Sequence, residues 1–184
     1  MLKFEKTKFK GVYLIEAFSS EDSRGYFIKD FEKDLYLQNG LDINISESFE
    51  SFSYQNVIRG LHFQTCNPQA KLVRAITGRI LDVVVDLRYN STTFGEWESF
   101  ILSEENKTSI FIPKGFAHGF CVQSISSIVS YKCIGNYHKG SDGGIIWDDK
   151  DLSITWGIDN PIISERDKNL MSYKEFLSRY KALE

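Results

Sequence analysis

Apolar residues in this chain recur mostly at every second position, in short runs separated by polar turns, which is the period of half-buried strands. Residues 11–18 (GVYLIEAF) and 24–31 (RGYFIKDF) read as strands flanking a polar turn at 19–23. Residues 41–54 alternate weakly, as an edge strand does. Residues 57–64 (VIRGLHFQ) alternate strongly; strict alternation places Arg59, Leu61 and Phe63 on one face and Gly60, His62 and Gln64 on the other. Residues 71–88 predict a hairpin turning at Thr77-Gly78, with Asp82 and Asp86 bracketing the run Val83-Val84-Val85. Further strands are expected at 94–103, 108–112 and 127–133, the last with Tyr131 on the face of Val129 and Cys133. PKGFAHGF at 113–120 reads as a glycine-bracketed turn carrying His118, and 135–144 as a loop. Helical spacing is confined to 32–39, with Leu35 and Tyr36 or Leu37 inward, and to the tail from Ser172, with Tyr173, Phe176, Leu177 and Tyr180 on one face.

Many short strands between turn signals predict an all-β sandwich or small barrel. With 184 residues and no repeat or linker, a single domain spanning 1–184 is expected. Its first 55 or so residues look more exposed and are suited to pairing with a neighbouring subunit, since unpaired strand edges are usually covered.

Composition narrows the function classes. A hydrophobic content of 42% and an aromatic content of 14% can fill a core, and the aromatics favour strands. A net charge of −3 with no basic run argues against nucleic-acid or membrane-surface binding. Cys66, Cys121 and Cys133 form no CxxC pair, so reduced thiols in a cytoplasmic protein are expected. There is no apolar run of signal-peptide or membrane-spanning length. His62, His118 and His138 are scattered, and Phe63-Gln64 follows His62 in place of an HxH pair, so neither metal nor cofactor is expected. No phosphate-binding or nucleophile-elbow motif occurs either, which leaves acid–base chemistry or plain binding.

The residues that can carry such chemistry are Arg59, His62, Lys71, His118, Tyr131 and Asp167, all on separate segments. Lys71 also reads as a solvated strand end, His118 as a turn residue, Tyr131 as a core tyrosine and Asp167 as a loop cap. Asp82 and Asp86 read as structural acids paired with Arg88 or Arg74.

RGYF at 24–27, RGLHFQ at 59–64, KLVR at 71–74, LDVVVDLR at 81–88, PKGFAHGF at 113–120, SYK at 130–132, GGIIWDD at 143–149 and SERD at 164–167 come in a recognisable order. Over about residues 10–170 the chain resembles the dTDP-4-dehydrorhamnose 3,5-epimerase family. The resemblance implies a cupin-type jelly-roll β-barrel with short helices, a barrel at 56–160 and a C-terminal segment at 161–184. It also implies a homodimer that exchanges strands from residues 1–55, and cofactor-free epimerisation at carbon 3, carbon 5 or both of a nucleotide-linked 4-keto-6-deoxy sugar, serving polysaccharide biosynthesis. In that reading His62 is the base, Asp167 its carboxylate partner, Lys71 the cation at the enolate oxygen and Tyr131 the acid on the opposite face. Arg59 and His118 fall on substrate-binding positions, and Arg24 on a nucleotide contact supplied across the dimer.

The chain departs from the family at Lys29, where a Glu is usual, and at Glu47-Ser48-Phe49, where Gln-x-Asn is usual. Asn136 aligns with a base-stacking aromatic, and Tyr137 is its neighbour. These departures imply a different nucleotide (GDP, CDP or UDP), a different sugar, or inversion of one carbon only. The competing expectations are an isomerase that moves the ketone, whose second histidine is here Gln64, and a sugar-binding cupin without catalysis.

Overall fold

The computed structural model describes residues 1–183. Its strands are β1 (Lys3–Lys6), β2 (Tyr13–Glu16), β3 (Phe18–Asp22), β4 (Gly25–Lys29), β5 (Glu47–Tyr54), β6 (Ile58–Gln64), β7 (Ala70–Thr77), β8 (Arg79–Asp86), β9 (Trp97–Ser103), β10 (Thr108–Ile112), β11 (Phe116–Val122), β12 (Ser126–Ile134) and β13 (Asp142–Gly144). Three short α-helices, α1 (Lys33–Gln38), α2 (Glu165–Lys168) and α3 (Tyr173–Arg179), and a 3₁₀ turn at Lys139–Ser141 complete the described residues. The strands form a six-stranded sheet in the order β1-β2-β10-β7-β12-β5, a five-stranded sheet in the order β13-β6-β11-β8-β9, and a separate hairpin of β3 and β4. The two large sheets face each other as a jelly roll, and their hydrogen bonding does not close into one ring.

Apolar side chains fill three layers. Between the sheets, Val73, Ala75, Ile110, Ile112 and Val129 of one sheet meet Ile80, Val84, Leu102, Phe116 and Phe120 of the other. Outside the five-stranded sheet, Leu61, Phe63, Val83, Val85 and Ala117 are covered by Leu152, Trp156, Phe176 and Leu183 of the C-terminal segment. Outside the six-stranded sheet, Ile15, Leu72 and Phe111 are covered by Tyr36 of α1 and by Leu41 and Ile43. β8 is therefore buried on both faces, which is why its valines run without alternation. Phe176, fully buried on α3 against Phe63, anchors the tail, and its truncation to Ala costs about 3–5 kcal/mol.

Two sequence expectations are corrected here. Residues 71–88 are not a hydrogen-bonded hairpin: β7 pairs with β10 and β12, while β8 pairs with β11 and β9 in the other sheet. The chain turns a corner at Gly78, where φ is +71° and a Cβ would come within 2.2 Å of the Ser126 carbonyl oxygen. Residues 116–122 are not a turn but the buried strand β11; only Lys114-Gly115 turn. Gly119, taken for a turn signal, instead permits close contact with β6, since a Cβ there would lie 2.8 Å from the Arg59 carbonyl oxygen.

At the N-terminal end, β1, β2 and β5 pair within the chain, with β5 at the sheet edge. β3 and β4 pair only with each other and expose Tyr26 and Phe27.

Candidate active site

The inner faces of β6, β7, β11 and β12 enclose a cavity of about 410 Å³. Strand alternation alone would keep Arg59 out of it. The register shows why it is in: His62 pairs with His118, but Arg59 pairs with Phe120, so β6 carries one residue more than β11 over this interval. The extra residue is Gly60, at φ +119°, where any Cβ would strike the Gly119 backbone at 2.6 Å. This bulge turns Arg59 onto the face of His62 and corrects the sequence expectation of opposite faces. The Arg59 guanidinium is braced by β5, donating from Nε to Ser53 Oγ at 2.9 Å and from Nη2 to the Phe52 carbonyl at 3.2 Å.

His62 faces the cavity, and its Nε2 lies 2.8 Å from Asp167 Oδ1. A carboxylate only accepts, so that nitrogen is the donor, and the other ring nitrogen is the one left for substrate. Asp167 reaches β6 because Ser164 caps α2, its Oγ accepting from the Asp167 N–H at 3.1 Å. The second Asp167 oxygen accepts from the Gly60 N–H at 3.1 Å. Burial pushes the Asp167 carboxyl up, but hydrogen bonding and charge from His62, the Gly60 N–H and the Arg166 guanidinium outweigh it, and the pKa ends below the ordinary value.

Directly across the ladder from His62 stands His118, whose Nε2 donates to Asp82 Oδ2 at 2.7 Å. Both members are buried, and among the described residues Asp82 Oδ1 has no hydrogen-bond partner. Asp82 does not pair with an arginine as the sequence suggested; Asp86 does, with Arg88 at 2.6 Å. The alternation of β8 was the available signal, since it sets Asp82 on the inward face with Val84.

Lys71 and Tyr131 lie on the opposite sheet, on adjacent strands, and line the same cavity. Desolvation lowers the Lys71 ammonium pKa, with Cys133, Asp142 and Asp82 pulling the other way. Burial and the nearby Asp82 raise the Tyr131 phenol well above its ordinary value, so it holds its proton at neutral pH. The ring is fixed by stacking on Phe49 at 4.8 Å, and it meets His118 edge-on at 6.2 Å. An imidazole on one wall and a protonated phenol on the other, with the Lys71 side chain in the same cavity, can remove a proton from one face of a bound carbon acid and return one to the other face.

The family model described as dTDP-4-dehydrorhamnose 3,5-epimerase matches residues 6–175. The chain belongs to the dTDP-4-dehydrorhamnose 3,5-epimerase family. A relative with that name from Methanothermobacter thermautotrophicus is 48% identical over 176 residues, covering 94% of this chain and 95% of its own. The Bacillus anthracis dTDP-4-dehydrorhamnose 3,5-epimerase, solved with TDP and PPi bound, superposes with a TM-score of 0.91 at 38% identity, covering 94% of this chain and 99% of its own. The Legionella pneumophila dTDP-6-deoxy-D-glucose-3,5-epimerase, solved with dTDP-4-keto-L-rhamnose, gives 0.90 at 36% identity, covering 94% and 93%. The cupin-type jelly roll of these epimerases is the fold of this chain.

Other residues singled out in the sequence divide into two groups. Glu47, Phe49 and Tyr137 line the cavity; Glu47 is held by Gln69, and Tyr137 Oη donates to Asp142 Oδ2 at 3.1 Å. Arg24 and Lys29 do not reach it: they sit on the β3–β4 hairpin, paired with Asp22 at 2.6 Å and Glu32 at 2.7 Å. Asn136 is exposed outside the cavity lining. Sequence reasoning gave Asp82 a structural part only, and did not select Ser51 or the rim pair of Arg166 and Asp142, whose atoms approach to 2.7 Å. Among the described residues no cluster of His, Cys, Asp or Glu has metal-binding geometry, and no helix is long and apolar enough to cross a membrane.

Proposed function

We propose that this cavity epimerises a dTDP-linked 4-keto-6-deoxy sugar by proton abstraction and return at the carbons flanking the ketone. The observation that carries the reading is the position of His62 and Tyr131 on facing sheets of one cavity that also holds Lys71. A proton beside a ketone is weakly acidic, and a histidine whose other nitrogen is committed to Asp167 is a base suited to neutral pH. As His62 takes the proton, Asp167 stabilises the imidazolium and holds its ring. Negative charge grows on the ketone oxygen, where the Lys71 ammonium stabilises the enolate more than the ketone. Tyr131 then donates its proton from the opposite side, and the carbon inverts. Arg59 and Arg166 give the cavity the cationic character a diphosphate requires.

The working unit in this proposal is a homodimer. β3–β4 stands away from both large sheets, exposes Tyr26 and Phe27, and carries Arg24, so a second copy is the natural recipient of that guanidinium. Mixing Arg24→Ala and His62→Ala chains is expected to restore activity that neither has alone, because one site of each mixed dimer then has both residues. Without such rescue Arg24 serves its own chain or none.

The deciding experiment is turnover of dTDP-4-keto-6-deoxyglucose in D2O. Deuterium is expected at carbons 3 and 5; His62→Ala should lose the uptake, and Tyr131→Phe should lose inversion while His62 still exchanges the proton on its own face. Turnover of a GDP-, CDP- or UDP-linked analogue in preference to the dTDP sugar overturns the nucleotide assignment. Deuterium at a single carbon makes the protein a mono-epimerase.

A further inference from the structure

We infer that Ser51 is a positioning residue for Tyr131, supplying a hydrogen bond to the phenolate that forms when Tyr131 gives up its proton. The inference rests on the epimerase reading above and concerns a residue to which that reading gives no part. β5 runs along the edge of the six-stranded sheet with Phe49, Ser51 and Ser53 alternating onto the cavity side. Phe49 is the register partner of Tyr131 and stacks on its ring; Ser51, two residues on, is the register partner of Val129. Diagonal neighbours of this kind are within reach of an aromatic side chain. The Ser51 hydroxyl is thus aligned with the phenol end of Tyr131, and its effect there is to favour the ionised phenol, as does the Arg59 guanidinium.

What singles Ser51 out is its own hydroxyl. Ser51 Oγ is buried beside the Tyr131 hydroxyl, yet among the described residues it forms no hydrogen bond of good geometry, whereas Ser53 on the same face accepts from Arg59 Nε. A buried hydroxyl without a partner is a cost that the fold normally avoids. Here the contact with the Tyr131 oxygen becomes a full hydrogen bond during the reaction. When the Tyr131 O–H bond breaks and the new C–H bond forms at the enolate carbon, the phenolate oxygen is left in a site that burial and Asp82 make hostile to negative charge. The Ser51 O–H then donates to that oxygen without transferring its own proton, and solvent later restores the phenol. An interaction weak in the resting enzyme and strong once charge develops accelerates the step without tightening substrate binding.

The test is Ser51→Ala beside Ser51→Thr, assayed on the dTDP-4-keto sugar in D2O. Ser51→Ala is expected to lower kcat about 10- to 100-fold, the range for a hydrogen bond to a charged group, with KM unchanged. Deuterium should still enter recovered substrate, because His62 continues to abstract and return protons on its own face while inversion lags. Ser51→Thr, which keeps the hydroxyl, should restore most of kcat. An unchanged kcat in Ser51→Ala overturns the inference, and so does a raised KM at full kcat, which makes Ser51 a substrate contact. Exchange and inversion falling in step without rescue by Thr makes it a packing residue and equally overturns it. Absence of deuterium uptake by the unaltered chain instead removes the epimerase reading itself, so the two failures are distinguishable.

Discussion

Two histidine–carboxylate pairs stand side by side in this cavity, on register partners of adjacent strands, and they are built differently. His62 exposes 28% of its side chain and takes its carboxylate from a one-turn helix 105 residues away in sequence. His118 exposes 4% and takes its carboxylate from the neighbouring strand β8, where Asp82 is fully buried. The first pair has a ring open to substrate and water, with an acid held from behind. The second is sealed into the sheet. An imidazole that must change protonation state in every turnover needs the first arrangement, because water and substrate can follow the charge. The second arrangement suits a fixed dipole, since a charge appearing on a sealed ring is costly unless its partner matches it. The fold thus separates moving a proton from holding a polar wall, using the same two side-chain types.

Replacing each histidine breaks that comparison most sharply. His62→Asn is expected to lower kcat by about 10²- to 10⁴-fold, the usual contribution of a general base, and to abolish deuterium uptake. His118→Asn should leave uptake measurable and act mainly through KM. Equal loss of uptake in both variants means that the two rings share the base function.

The carboxylates come next. Asp82→Ala strands a buried imidazole between strands and should cost about 3–5 kcal/mol in urea denaturation. Asp167→Ala leaves His62 at a cavity wall where water can take over, so the cost there should be about 1–3 kcal/mol, with activity lost well before the fold. The reverse ranking would mean that the helix-borne pair is the structural one.

Titration separates the pairs further. The Asp167 carboxyl lies below its ordinary value in the folded chain, so the unfolded chain binds more protons in the window between the two values. Its contribution to stability is therefore present above about pH 4, the unfolded value, and lost as pH falls through the lower folded value. Wild type should show this acid loss in urea midpoints, and Asp167→Asn should not. A variant that keeps the same acid slope places the titrating group elsewhere.

How much of this was legible in the sequence follows from where periodicity carries information. The period-2 runs gave β10 its limits at 108–112, and placed Tyr131 with Val129 and Cys133 on the inward face of β12. They could not tell a hairpin from a corner: Thr77-Gly78 looks the same whether β8 folds back on β7 or crosses to the other sheet, and the choice is made by layers formed with distant residues. Arg59 failed for a related reason, because a single inserted residue at Gly60 inverts the face of everything before it. The glycines of 115–119 misled because a glycine that permits close strand packing and one that permits a turn are the same letter. The family motifs brought His62, Lys71, Tyr131 and Asp167 to attention together, but Asp82 and Ser51 acquire meaning only once neighbouring strands set them beside His118 and Tyr131.

The smallest expected effect tests whether the first pair depends on its helix. α2 has a single turn, and Ser164 supplies its N-terminal cap through the Asp167 N–H. Removing a cap costs about 1 kcal/mol, so Ser164→Ala should lower the urea midpoint slightly. The larger consequence is positional. With the cap gone, the Asp167 backbone loses the contact that aims its carboxylate at both His62 and the Gly60 N–H, while Asp82, held by a ladder on each side, is untouched. Ser164→Ala should therefore lower kcat a few-fold and shift the His62 ring resonances in an NMR titration, with those of His118 unmoved. Movement of both sets together would show that the two pairs are one coupled unit across the β6–β11 ladder, and the division between proton carrier and fixed wall would then have to be given up.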